Sequence, residues 1–465
     1  MAKDLTMGKP SSVLIKFAIP MILANIFQQL YNLADSIIAG NVLGVNALSA
    51  TSVSYPVTLI YTGIAIGASQ GAAVVIANLM GSRRYRDMST AVGTTLLSMF
   101  AASAVLTVVG VLVCDPVLKL LKTDEVIFAD SSDYLAIYTY GVPFVMLYNA
   151  ATAAFNAMGD SRTPLILLIC SSVVNVVLDL VFTVEQCGIC WGVSGLAWAT
   201  FIAQGAACVA SLWWMFVKLR RLVRAEESES ERQGRVKPFS LSQLRSILHI
   251  AVPSMLQQLF VPVGLLFVQA VVNGFSPSVI AGYTAAVKVN TMCISCNNML
   301  GNAMSAYTAQ NLAVAARDRV KSGLKWGNVL ALSVSAAFLI VSLTCSRFLI
   351  GLFAGSQDAG FDEMVDAGKL FLTITSPFYL LVGVELVFNG LHRGEGKMLL
   401  FMLATGGDLV FRVAFSYILA PSLGFTGVCW AYAIGWIVGL AAALIGYLVS
   451  GRKPLRFFEG APVRR

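Results

Sequence analysis

Six ionisable residues stand inside long apolar stretches of this 465-residue chain: Asp35, Asp179, Lys288, Glu385, Asp408 and Arg412. A charge at the centre of a hydrocarbon layer costs about 2.5 kcal/mol or more, so such a group is expected either to work or to be paired. Asp408 and Arg412 are four residues apart, a spacing that lets them pair on one helix face. With Lys288 and Glu385 they form a second-half charged cluster of two acids and two bases, whose charges can cancel. Asp35 and Asp179 have no base in their half. An acid pair without a protein cation must be compensated by a proton or by a metal cation such as Na+. Asn175 lies one turn before Asp179. Tyr31 and Gln28 lie one and two turns before Asp35, and Thr200 falls at a similar depth. Together these make an oxygen-rich cluster; the plainer alternative is that the two acids bond backbone or Tyr hydroxyls.

The elements that position these residues follow from composition. Hydrophobic residues make up 57% of the chain and charged residues 12%, against about 25% charged in soluble domains. Apolar blocks such as Val13–Gly40 and Val428–Leu448 are long enough to cross a ~30 Å hydrocarbon core. A soluble enzyme, a secreted disulfide scaffold and a disordered regulator are excluded. The fold class expected is an all-α polytopic membrane protein. Twelve transmembrane helices are expected at about 13–40, 48–77, 89–113, 132–157, 164–185, 191–217, 245–273, 279–310, 324–350, 368–391, 398–420 and 425–449.

Charge placement orients the chain. With the N-terminus cytoplasmic, 26 of the 32 Lys and Arg fall on the inner side, among them Arg83, Arg84, Arg86, Arg220, Arg221 and Arg224. The outer side holds Lys119, Lys122, Arg347 and Lys369. That bias predicts a plasma-membrane protein with both termini cytoplasmic, and it accounts for the net charge of +8 without nucleic acid. No cleavable signal peptide is expected, because the first apolar run is too long and lacks a small-residue cleavage pattern. Cys187 and Cys190, like Cys293 and Cys296, read as small apolar fillers, with a local pairing open to the first two.

The chain repeats itself. Ala18-Ile19-Pro20 recurs as Ala251-Val252-Pro253, Asn78-Leu79 as Asn311-Leu312, Pro143-Phe144 as Pro377-Phe378 and Phe155-Asn156 as Phe388-Asn389. Gly192-x-x-Gly195-x-x-Trp198-Ala199 recurs as Gly424-x-x-Gly427-x-x-Trp430-Ala431, and every pair is 232 to 234 residues apart. Two pseudo-symmetric six-helix lobes with a central cleft are expected: an N-terminal lobe over 1–217, a charged cytoplasmic linker over 218–244, and a C-terminal lobe with a short basic tail over 245–465. Parallel repeats of this kind are a transporter architecture. The same offset sets Asp408 on Asn175 and Arg412 on Asp179, so the second lobe carries a fixed cation where the first carries an acid. Gly63, Gly67 and Gly71, and Gly435 and Gly439, sit one turn apart and permit close helix approach.

Gln28-Gln29-Leu30-Tyr31-Asn32-Leu33-Ala34-Asp35, with Gly44 and Ala47-Leu48-Ser49-Ala50 behind it, resembles helix one of the multidrug and toxic compound extrusion (MATE) transporters. The likeness covers nearly the whole chain, including the Gly159-Asp160 turn, and within the family it is to the DinF-like branch. That resemblance implies cation coupling through Asp35, Asn175 and Asp179, with Thr200, Gln28 and Tyr31 in the same first-lobe chamber and a helix-one kink at Pro20. It implies export of small amphipathic, often cationic organic compounds by alternating access, driven by inward Na+ or H+, with Asp35, Asn175 and Asp179 as the Na+ ligands. No cofactor or partner chain is implied, and a monomer is expected. Tyr134 and Tyr138 share a face of helix four and suit the substrate chamber. The family's other bacterial branch couples through acids in helices seven and ten. Helix seven has none here, and Glu385 is about a turn out of place.

Three other readings compete. A lipid or lipid-linked sugar flippase of the same wider superfamily would use a cationic cavity, for which Lys288 and Arg412 are candidates. A channel or scaffold would not need duplicated lobes with unpaired acids. An intramembrane enzyme would need a motif such as His-Glu-x-x-His or Gly-x-Ser-x-Gly, and neither is present.

Overall fold

The computed structural model describes residues 4–43, 45–120, 123, 125–183, 191–229, 236–353 and 360–450. Among them there is no strand. The helices are α1 (Pro10–Val42), α2 (Val45–Gly81), α3 (Tyr85–Leu120), α4 (Glu125–Tyr140), α5 (Val142–Ala157), α6 (Arg162–Thr183), α7 (Gly192–Glu229) and α8 (Leu241–Val272). They continue with α9 (Pro277–Ala313), α10 (Arg317–Thr344), α11 (Ser346–Gly351), α12 (Phe361–Thr375), α13 (Tyr379–Gly394), α14 (Met398–Leu423) and α15 (Phe425–Ser450).

Eleven described stretches are long and apolar enough to cross a membrane. The twelfth expected span is α4 with α5, 16 residues each. It is interrupted at Gly141, where Pro143 in the first turn of α5 brings no backbone N–H. The second half breaks at the matching place: Pro377 sits in a 3-10 turn, Ser376–Phe378, between α12 and α13. Long apolar side chains such as Val105, Val108 and Leu112 of α3 are 62–72% exposed and share one helix face, the surface a hydrocarbon solvent covers.

The chain divides into two compact units, but not at the ends of the expected linker. Leu23–Met255 fall in the first unit, while Leu5–Ile22 and the chain from Leu256 fall in the second. Both changes lie inside a helix, α1 and α8, three residues after the repeat-equivalent prolines Pro20 and Pro253. Residues 218–229 continue α7, and α8 already begins at Leu241, so most of the expected linker is helix. The CxxC at Cys187 and Cys190 lies outside the described residues.

Each unit repeats one packing plan. In the first, α2 packs on α5 and α4, α5 on α3 and α7, and α6 on α7. In the second, α9 packs on α13 and α12, α13 on α10 and α15, and α14 on α15. The segments before α1 and α8 are each tied down by backbone hydrogen bonds to a helix side chain. In the second unit Leu5 is fully buried. Its N–H donates to Gln310 Oε1 at 3.1 Å, and its carbonyl accepts from Asn311 Nδ2 at 3.2 Å. In the first unit Ser240 N donates to Thr94 Oγ1 at 3.0 Å. Gly67 and Gly71 serve the same unit: a Cβ on either would meet the backbone of Met255 or Ala251 on α8 at 2.5–2.6 Å.

Candidate functional site

Helix α6 is built inside out. Its buried residues are Pro164, Asn175, Asp179, Phe182 and Thr183, whereas Ile166, Val173, Val174 and Val177 are exposed. The four-residue spacing of Asn175 and Asp179 keeps both on the buried face, where each is 1% exposed. Asp35 of α1 meets them there. With the Asn175 amide turned to satisfy its neighbours, Nδ2 donates to Asp35 Oδ1 at 3.2 Å and to Asp179 Oδ2 at 3.1 Å, and Oδ1 accepts from Thr200 N at 3.2 Å. The opposite orientation would point an amide oxygen at two carboxyls and an amide nitrogen at a backbone N–H.

Asp35 and Asp179 are close enough to act directly on each other. Two carboxyls placed so close resist joint ionisation. Tyr31, one turn before Asp35, lies beside Asp35 and Thr200. Among the described residues, the charged groups that act on either acid are the two acids themselves, with no Lys or Arg. Asp179 Oδ1 is buried without a partner among the described residues. Tyr134 of α4 is within electrostatic reach of both acids, and its ring stacks on Tyr138 at 6.4 Å. Asp35, Asn175, Asp179, Thr200 and Tyr31 thus come together, with Tyr134 and Tyr138 beside them. Gln28 is half-buried on α1 and stands outside the hydrogen-bonded set. Pro20 falls in the other unit. Two carboxyls, an amide and two hydroxyls can hold a proton or a hard cation such as Na+, whose ligands are oxygens. No group of three or more His, Cys, Asp or Glu suited to a metal is present among the described residues.

In the second unit Arg412 Nη2 donates to both oxygens of Asp408 at 2.6 Å. The guanidinium lies over Tyr432 and Trp436, 4.7 and 5.6 Å from the ring centres. Glu385 is within electrostatic reach of both charges. Lys288 does not join them. It is exposed on α9, with its ammonium over the Phe353 ring at 5.1 Å, so the expected four-residue cluster is a three-residue one. Apolar periodicity could not decide this, because Lys288 lies on a helix polar on more than one face. Sequence reading also missed Asn389, which donates to Glu385 Oε1 at 3.2 Å. Its signal was the i, i+4 spacing. At the turn between α5 and α6, Lys218 Nζ of α7 reaches Asp160 Oδ2 at 2.5 Å. Burial pushes that carboxyl up, but Lys218 and two bonds from Thr163 outweigh it and hold Asp160 below its ordinary value.

The MatE family profile matches residues 20–181 and 253–418, beginning each time at one of the paired prolines. "Probable multidrug resistance protein YpnP" of Bacillus subtilis is 25% identical over 98% of this chain and 99% of its own. "Multidrug export protein MepA" of Staphylococcus aureus is 24% identical over 94% of each chain. A solved MOP superfamily transporter from Pyrococcus furiosus shares the fold, with a TM-score of 0.85, 21% identity and 96% of each chain covered. With its apolar spans, the chain is a multi-pass membrane protein.

Proposed function

The chain belongs to the MatE family, and from that premise we propose that it is a secondary antiporter exporting small amphipathic, often cationic organic compounds in exchange for inward Na+ or H+. YpnP and MepA, named for multidrug resistance and export, support the substrate class. The observation that carries the coupling is the Asn175 bridge between Asp35 and Asp179. It joins two acids in a buried setting where no described residue supplies a basic side chain, so an ion from outside the protein completes the site. The location of that site in α1 and α6 favours the DinF-like branch.

The bridge allows two occupied forms. With a proton between the carboxyls, Asn175 presents its N–H to both. With Na+ between two carboxylates, the amide turns over and gives its oxygen to the cation, beside Thr200 and Tyr31. The two ions therefore exclude each other, and lowering the pH weakens Na+ binding. Ion entry from outside neutralises the pair, lets α1 repack and lowers affinity for the organic compound. Release inside resets it. Such a cycle needs only unequal ion affinity in the two states. Gln28, Tyr31, Tyr134 and Tyr138 supply the adjacent substrate wall. The protein works as a monomer in the plasma membrane with both termini cytoplasmic.

The test is reconstitution in proteoliposomes with a fluorescent organic cation, under an imposed Na+ gradient and, separately, an imposed pH gradient. Export driven by at least one supports the reading, and export driven by neither overturns it.

A further inference from the structure

Helix α9 carries all its exposed positions on one stripe. They are Pro277, Ala281, Thr284, Lys288, Thr291 and Asn298, separated by four, three, four, three and seven residues, the repeat of a single helix face. The rest of α9 is buried or half-buried, packed on α10, α12 and α13. No large apolar side chain lies on the stripe. Helices α3, α8 and α10 each expose several, such as Leu112, Phe267 and Ile340. A spanning helix that turned this stripe to hydrocarbon would fill it with such residues. A polar stripe on a spanning helix faces water instead.

Lys288 is the one charged residue of the stripe, about three turns into α9. A lysine that only snorkels to the membrane surface covers apolar neighbours with its stem. Here Thr291 and Asn298, one and about three turns deeper, are exposed and polar. The ammonium stands over the Phe353 ring at 5.1 Å. The ring covers one side, and the three donors of the ammonium meet no acceptor among the described residues. Asp408, Asp362 and Glu363 of the same unit are engaged elsewhere, by Arg412, by Arg347 and by the Ser276 hydroxyl. Thr284 and Thr291 turn their hydroxyl hydrogens to carbonyls of their own helix, Ile280 and Val287, at 2.8 Å. The stripe therefore carries a cation and no acid to hold it. An anionic oxygen is the complement, because a charge-assisted hydrogen bond to it is stronger than one to water or to a neutral group.

We infer that Lys288 is a specificity-determining residue, which binds the carboxylate or phosphate group of an exported compound on the water-facing stripe of α9. This role presupposes the transport reading above and names a substrate class within it: amphipathic compounds that carry an anionic group beside their apolar or cationic part. A phospholipid does not fit. Its headgroup would suit the ammonium, but its acyl chains need an exposed apolar track, and α9 supplies none.

The test is fluorescence-polarisation binding to the full-length protein in phosphatidylcholine nanodiscs. Two probes are compared: a rhodamine with a free carboxylate, and its methyl ester, which lacks the negative charge. The wild type is expected to bind the carboxylate dye more tightly. Lys288→Gln should weaken that dye by about tenfold, the loss of one charged hydrogen bond, without weakening the ester. Lys288→Arg should keep the preference and Lys288→Glu should reverse it. Equal binding of the two dyes by the wild type, binding of neither, equal loss of both in Lys288→Gln, or an unchanged preference there would overturn the inference. Should the variants not fold, inorganic phosphate decides: it must compete with the carboxylate dye and not with the ester, and failure to do so overturns the inference. Nanodiscs containing phosphatidylglycerol test the lipid. A preference that this lipid abolishes would assign the ammonium to a headgroup and overturn the inference as well. A Lys288-dependent preference with export driven by neither gradient counts against the transport reading alone. Gradient-driven export without that preference counts against this inference alone.

Discussion

On α6, Asn175 and Asp179 close over Asp35 from another helix; at the same register of α14, Asp408 and Arg412 close on each other. The helical plan around the two pairs is the same, down to the break at Pro143 and at Pro377. What differs is the charge at both positions: neutral and acidic on α6, acidic and basic on α14. A cation at position 412 makes the second pair self-sufficient, whereas position 179 of the first carries a second acid beside Asp35. On the proposed function, duplication yields one half that binds an ion between its helices and one half that carries its counter-charge permanently.

The comparison breaks most visibly if the charge is exchanged. The double variant Asn175→Asp with Asp179→Arg gives the first unit the pair of the second. It is expected to elute as a folded protein and to lose gradient-driven export entirely. Export at wild-type rate would mean that the difference between the pairs has no functional weight.

Stability is the next lever. Asp408→Asn or Arg412→Met each leaves a buried charge alone, a change that costs about 3–5 kcal/mol, whereas removing both is close to neutral. Detergent melting should therefore place both single variants well below the wild type and the double near it. Singles that melt like the wild type would show the pair to be unimportant for stability.

The smallest effect is expected where the repeats use opposite charges for the same job. The turn from α5 to α6 is held by Asp160 with Lys218, and the turn from α13 to α14 by Lys397 with Glu395 at 2.6 Å. Asp160→Asn should cost about 1–3 kcal/mol at neutral pH. Since the folded protein holds this carboxyl below its ordinary value, its contribution is present above the ordinary carboxylate range and fades as pH falls through the folded value. Melting curves from neutral to acid pH should converge for variant and wild type.

Much of this was legible in the chain because the relevant signals are local. Charges are so scarce that Asp35, Asp179, Asp408 and Arg412 stood out unaided, and a four-residue spacing fixed which of them share a helix face. Constant-offset repeats pointed to the two halves. What escaped depends on packing between distant segments. The α1 and α8 helices divide between the units after Pro20 and Pro253, although each reads as one unbroken apolar run. Lys288 looked like part of the second-unit cluster because sequence gives depth along a helix but not its azimuth against neighbours. The Asn175 orientation and the Glu385–Asn389 bond are side-chain geometry, set by what the surrounding helices leave unpartnered.

The account turns on whether the coupling ion sits at Asp35 and Asp179. Asp35→Asn and Asp179→Asn keep side-chain shape and hydrogen bonding but cannot ionise. In proteoliposomes carrying whichever gradient drives the wild type, each variant should fold and export at the background rate. Wild-type export by either one would contradict the account.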